Sequence, residues 1–308
     1  MPRVRFAISI PQFYADGTFD PAGFRAYLAR AEELGFESAW VREQILGTMP
    51  QLNPTEVLTY AAVCTERLRL GCAVYVSTLH SPVHLAKSLS TLDQLGRGRL
   101  EVGFGSGGRR MFSAFAVDPQ KPIARFIEGL QIMKALWTEP SVNFEGRFWQ
   151  LAGAAMEPKP FQKPCPPIWF GASHPAAVRR AARYAEGFFG AGSQTTAQFA
   201  GQVQILREAL AESGRSDSGF RIAKRVYIAV DNDANRARQR ISDALEKLYG
   251  YFGVHGMESV AVFGPPDECV RGLAEVAAAG AQMILLDPLF DEAEQMERLA
   301  AEVIPYLS

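Results

Sequence analysis

Between residues 4 and 104, short apolar runs alternate with amphipathic stretches, and the runs begin near residues 4, 37, 69 and 99, a spacing of about thirty. That rhythm constrains the chain more than any single residue does. A strand followed by a helix at this interval, with no room for a hairpin between consecutive strands, builds parallel sheet from βαβ units. The punctuation agrees: Asp20-Pro21, Asn53-Pro54-Thr55-Glu56 and Ser81-Pro82 each read as a helix start, the second resembling a capping box, and Gly35 and Gly96 as helix ends.

The beat breaks after residue 104. Residues 105–122 read as a loop, 123–137 as a helix, and 141–167 as an insertion rich in Gly, Pro and aromatic residues. It then resumes with strands expected at 167–171, 187–191 and 221–230 and helices at 175–185 and 195–213, after which two helices flank residues 250–265. A helix at 267–279 closing at Gly280, a strand at 281–287 and a terminal helix capped by Asp291 with Glu294 complete the series. Eight strands with interleaved helices, and no Gly/Ser linker dividing them, predict an α/β fold, a (β/α)8 TIM barrel over residues 1–308 as one domain, with insertions after strands 4 and 7. In such a barrel chemistry belongs to the loops at the C-terminal strand ends.

Composition narrows what those loops can do. Lys+Arg 32 against Asp+Glu 33 leaves a net charge of -1, so nothing in the balance supports binding to nucleic acid or an anionic membrane. A small-molecule substrate is expected instead. The first apolar run is too short for a signal peptide and no stretch approaches a membrane span, which reads as a cytoplasmic protein. Cys64, Cys72, Cys165 and Cys269 are scattered without a Cys-x-x-Cys pair, as expected for unpaired thiols rather than disulfides or zinc ligands.

Two strand ends carry glycine. Residues 103–108 fit G-x-G-x-x-G, but no helix opens at these glycines, so a dinucleotide fingerprint is disfavoured; what remains is backbone that approaches a flat ring or phosphate closely. Gly171-Ala172-Ser173 precedes Pro175, which offers free backbone N–H groups at a helix N-terminus, where a phosphate is favoured; Ser173 alone fits a plain N-cap equally well. His80 and His84 are four apart, but Pro82 starts the helix between them, so they do not share a face and no metal site is expected. His174 adjoins the second glycine loop and His255 lies in an insertion.

The stretch LGCAVYVSTLHSPVHLAKSLSTLDQLGRGRLEVGFGSGG (70–108) resembles the signature of the luciferase-like superfamily of flavin and deazaflavin oxidoreductases, as do Pro158-Lys159-Pro160 through Pro164 leading to PPIWFGA, and the run from Ala181 to Gly187. The resemblance covers essentially the whole chain. It implies a cis peptide at Ala73-Val74 behind a tricyclic ring, a glycine loop at Gly103, Gly105, Ser106 and Gly107, and a cofactor phosphate at Gly171, Ala172 and Ser173. It also implies a homodimer, for which the apolar helix residues Leu58, Ala61, Ala62, Leu85 and Leu89 offer further support. After strand 2, where many family members carry Asp-His or Glu-His-His, this chain has Arg42-Glu43-Gln44. Gln44 hydrogen-bonds but cannot shuttle a proton, which leaves Glu43, His80, Tyr75 or water as donor, with His80 first for its ordinary pKa of ~6.5. The absence of Glu-His-His favours hydride transfer with coenzyme F420 and a small organic substrate; the alternatives are an FMN-dependent monooxygenase fed by a partner flavin reductase, and a catalytically silent cofactor-binding barrel. Segments 14–18, 45–51, 141–167 and 250–265 are expected to shape the substrate pocket, and none carries a recognisable code for it.

Overall fold

Parallel pairing runs around the molecule nearly in chain order. The computed structural model describes residues 4–13 and 18–307. It contains β1 (Arg5–Ser9), α1 (Pro21–Glu33), β2 (Ser38–Val41), α2 (Pro54–Cys64), β3 (Arg69–Val76), α3 (Pro82–Leu95), β4 (Leu100–Gly105), α4 (Pro122–Thr138), β5 (Val142–Glu145) and β6 (Gln150–Ala154). There follow β7 (Ile168–Ala172), α5 (Pro175–Tyr184), β8 (Gly187–Gly190), α6 (Thr196–Glu212), β9 (Arg221–Val230), α7 (Ala234–Tyr249), β10 (Val262–Gly264), α8 (Pro266–Ala278), β11 (Met283–Asp287) and α9 (Glu292–Arg298). The order β11-β1-β2-β3-β4-β7-β8-β9 closes through β9 on β11, a barrel of eight parallel strands as the sequence predicts. β10 extends the C-terminal end of β9, and β5–β6 is a separate antiparallel hairpin. No helix among the described residues is long and apolar enough to cross a membrane.

The barrel is filled by large aromatic rings where neighbouring strands supply glycine. Trp40, Trp169 and Phe189 meet at 5.0–5.8 Å between centroids. A Cβ at Gly71 would stand 2.4 Å from the Trp40 ring, and one at Gly187 2.4 Å from Trp169, so these two strands can carry only glycine there. Nearer the N-terminal end, buried Glu101 accepts from Arg69 Nε at 2.5 Å, Arg221 Nη1 at 3.0 Å and Trp169 Nε1 at 2.5 Å.

Outside the barrel, several expectations need correction. Leu58, Ala61, Ala62, Leu85 and Leu89 are at most 4% exposed, so the barrel itself covers the apolar helix faces that suggested a dimer. Asp20 caps α1 by accepting from the Ala22 and Gly23 amides, but Asn53 and Asp291 make no cap bond. Asn53 turns its amide to Glu56, and Asp291, at φ 46°, pairs with Arg240. The 141–167 insertion packs outward on α4, where the Glu128 carboxylate accepts from the Arg147, Phe148 and Trp149 amides at 2.8–3.0 Å.

Lys224, on the outer side of β9, is 2% exposed and donates to the carbonyls of Ala191 and Arg225 at 2.5 and 2.9 Å. Burial, with the Arg225 charge adding, pushes its ammonium down to about 7. The unfolded chain, with an ordinary lysine near ~10.4, holds a proton that the folded chain has released, so stability rises with pH between these values. Urea midpoints should climb more for the wild type than for Lys224→Met between about pH 7 and about pH 9.5. Equal slopes would show that Lys224 is fully charged in the folded chain.

Candidate active site

The mouth is organised by an irregularity in β3. Its register against β4 shifts between Cys72 and Tyr75, and the Ala73-Val74 peptide is cis, as the resemblance implies. The bulge points two consecutive residues inward: Ala73 joins the aromatic cluster, while Val74 fills the space above Gly103, Gly105 and Gly171. A Cβ at Gly105 or Gly171 would meet a Val74 methyl at 2.7 Å, and one at Gly103 would meet the Cys72 carbonyl at 2.3 Å. Gly105 and Gly171 therefore make room first for Val74, and only through it for anything bound above, while Gly103 makes room for the β3 backbone. Tyr75 is turned outward, with its hydroxyl 3.3 Å from Thr55 Oγ1, which removes it as a proton donor.

A cavity of about 670 Å³ opens over this floor. Ala73, Val74, Gly105, Ser106, Gly107, Gly171, Ala172 and Ser173 all line it, and Gly103 lies beneath. At one end stands the N-terminus of α5. His174, not Ser173, is the N-cap, its Nδ1 accepting from the Ala176 amide at 3.3 Å. Arg180, one turn further along α5, also lines the cavity and has no ion-pair partner among the described residues; burial holds its pKa below the ordinary value. Gln202 donates to the Ser173 carbonyl at 3.2 Å and fixes the loop from behind.

A second compartment of about 320 Å³ adjoins the first, and Gly107, Arg225, Tyr227 and Tyr249 belong to both walls. Glu43 and Gln44 line it; His80 does not. The Glu43 carboxylate, 1% exposed, accepts from the Val76 amide at 2.6 Å and contacts His80 Nε2 at 2.8 Å, so His80 stands behind Glu43 rather than at the wall. Between the compartments the Tyr227 and Tyr249 hydroxyls are 2.6 Å apart, and burial together with Tyr227 raises the Tyr249 phenol well above its usual value. Arg42 and Arg225 flank them and share the Asp287 carboxylate, each at 3.3 Å. Arg225 also donates to the Ala73 carbonyl at 2.8 Å.

Of the segments expected to shape this pocket, 45–51 contributes Ile45 and 250–265 contributes Phe252. Residues 141–167 contribute nothing, and 14–17 lie outside the described residues. The loop after β4 adds Arg110 and Met111; Arg110 donates to the Tyr251 carbonyl at 2.6 Å and lies 4.5 Å over its ring, joining two insertions into a roof. Arg180, Arg225, Tyr227 and Tyr249 were not singled out from sequence. The available signal was in β9, where Arg221, Arg225 and Tyr227 put polar atoms at the inward parity of a strand that is apolar elsewhere except at Lys224.

Residues 4–255 match the family model described as luciferase-like monooxygenase. The F420-dependent glucose-6-phosphate dehydrogenase of Beutenbergia cavernae is 28% identical over 322 positions, covering 94% of each chain. The phthiodiolone/phenolphthiodiolone dimycocerosates ketoreductase of Mycobacterium sp. (strain JLS) is 31% identical over 197 residues, 63% of this chain but only about half, 51%, of that relative's length. The crystal structure of monooxygenase RslO1 from Streptomyces bottropensis superimposes with a TM-score of 0.84 at 25% identity, covering 99% of this chain and 100% of that one. Since the family match runs from β1 through α7, and so takes in every residue lining the two compartments, the chain belongs to the luciferase-like monooxygenase family.

Proposed function

We propose that this protein is an oxidoreductase that transfers a hydride between coenzyme F420 and a small organic substrate. The observation that carries the reading is convergence: the β3 bulge, the glycine loop after β4 and the α5 N-terminus, far apart in sequence, line one cavity with a second compartment beside it. The full-length F420-dependent relative supports the choice of deazaflavin. When bound, that cofactor supplies two-electron hydride chemistry. Ala73 and Val74 would support its ring, while Ser173, the first-turn amides of α5 and Arg180 would hold its phosphate. Glu43, the Tyr227–Tyr249 hydroxyls and water are the groups at the wall able to move the accompanying proton. A second reading, an FMN-dependent monooxygenase supplied by a reductase, draws support from the likeness to RslO1.

The phosphate end offers a direct test. Arg180→Met should weaken FMN and F420 by about tenfold, in the range of a charge-assisted hydrogen bond, and leave riboflavin, which has no phosphate, unchanged in a fluorescence titration. Equal losses for FMN and riboflavin would place Arg180 elsewhere in the site.

A further inference from the structure

The cluster between the two compartments holds more hydrogen-bond donors than the chain uses. Arg42 and Arg225 are only 16% and 9% exposed, and each reaches Asp287 at the long distance of 3.3 Å, one on each carboxylate oxygen. Beyond this, Arg225 donates to the Ala73 carbonyl and Arg42 lies 4.9 Å from the centre of the Phe13 ring. Most N–H groups of both guanidiniums have no acceptor among the described residues. The neighbouring acids do not supply one. Glu43 already spends its oxygens on His80 and the Val76 amide. Glu292 lines a third cavity that Asp287 and Arg42 also line, but it makes no ion pair with Arg42, and burial with the Asp287 charge holds its carboxyl above the ordinary value.

None of these nitrogens is both fully buried and unpartnered, so the free N–H groups are open to a ligand in the compartment that both arginines line; the buried atom of this cluster left without a hydrogen bond is Asp287 Oδ2. The hydroxyl pair adds to the set: when one tyrosine donates to the other, the second keeps a proton for an outside acceptor. Much of the remaining wall is apolar, with Leu79, Met111, Leu248 and Phe252, beside Gln44 and an Arg110 that donates to the Tyr251 carbonyl. A guanidinium pair beside an apolar wall matches a planar anion on an apolar body.

Taking this compartment, as in the function proposed above, to be the substrate side, we propose that the substrate is an amphipathic carboxylic acid. Its carboxylate docks between Arg42 and Arg225, and its hydrocarbon or aromatic part lies against Leu79, Met111, Leu248 and Phe252. Arg42 sets this preference, because Arg225 is also committed to the Ala73 carbonyl.

Calorimetric titration of the protein without added cofactor tests the assignment, with octanoate, octan-1-ol and octylamine as probes of equal length. Octanoate should bind at least about tenfold tighter than octan-1-ol, and octylamine weaker than both. Arg42→Met should reduce octanoate to the affinity of octan-1-ol, Arg42→Lys should retain part of the preference, and Arg180→Met should not change it. Equal binding of octanoate and octan-1-ol by the wild type overturns the proposal without reference to any variant. So does a preference that survives in Arg42→Met. Cofactor binding without carboxylate preference would sink this inference alone, whereas carboxylate preference in a protein that binds neither F420 nor FMN would uphold the site and remove the proposed reaction.

Discussion

Gly105→Val should weaken binding of F420 and of FMN by roughly a hundredfold, the ~3 kcal/mol at the upper end of overpacking costs, while far-ultraviolet circular dichroism stays that of the wild type. A Cβ at this position would lie 2.7 Å from a Val74 methyl, and Val74 cannot retreat because Gly103 and Gly171 already hold its other faces. Either Val74 rises into the cavity or the loop carrying Ser106 and Gly107 moves; both change the surface a ring would rest on. Gly105→Ala should show a smaller loss of about tenfold, since a single methyl needs a smaller displacement. Unchanged affinity in Gly105→Val would mean that the cofactor does not lie over Val74.

Glu101→Ala tests the other end of the barrel and should act on stability. Its carboxylate gathers two guanidiniums and the Trp169 indole while itself 2% exposed. Removing it leaves like charges facing each other across a buried gap, and the penalty for breaking such a cluster is 3–5 kcal/mol in general. Here about 3 kcal/mol is expected, because Arg69 and Arg221 have side-chain exposures of 27% and 39% and recover some hydration. Urea unfolding gives the value. A loss below about 1 kcal/mol would show that water already shares these charges.

The barrel was legible because it follows from periodicity: apolar runs at intervals of about thirty leave parallel strands few alternatives, and the observed β2, β3 and β4 begin at 38, 69 and 100. What alternation cannot reveal is a bulge. By strict period-2 reading, Tyr75 follows Gly71 and Ala73 into the barrel; with Ala73 and Val74 both inward, Tyr75 faces α2 instead. Helix caps failed for a similar local reason. Asn53 and Asp291 are the right residue types, but the bond depends on side-chain rotamer and backbone angles, and each has a competing partner in Glu56 or Arg240. The glycine loop lines the cavity, but its packing against Val74 is not legible in the sequence, because Val74 and Gly105 meet across two strands. Arg42, Arg225, Tyr227 and Tyr249 converge from the residue after β2, from β9 and from α7, a closeness that exists only once the barrel has closed.

A parallel equilibrium titration tests the proposed deazaflavin in the larger cavity. Purified protein is titrated in parallel with F420 and with FMN, each followed by its own visible absorbance and fluorescence. Saturable binding of F420 is expected, at a stoichiometry of one per chain and with an affinity at least about tenfold above that for FMN. Tighter binding of FMN would contradict the assignment in favour of the monooxygenase reading, and binding of neither would contradict an enzymatic role for this cavity altogether.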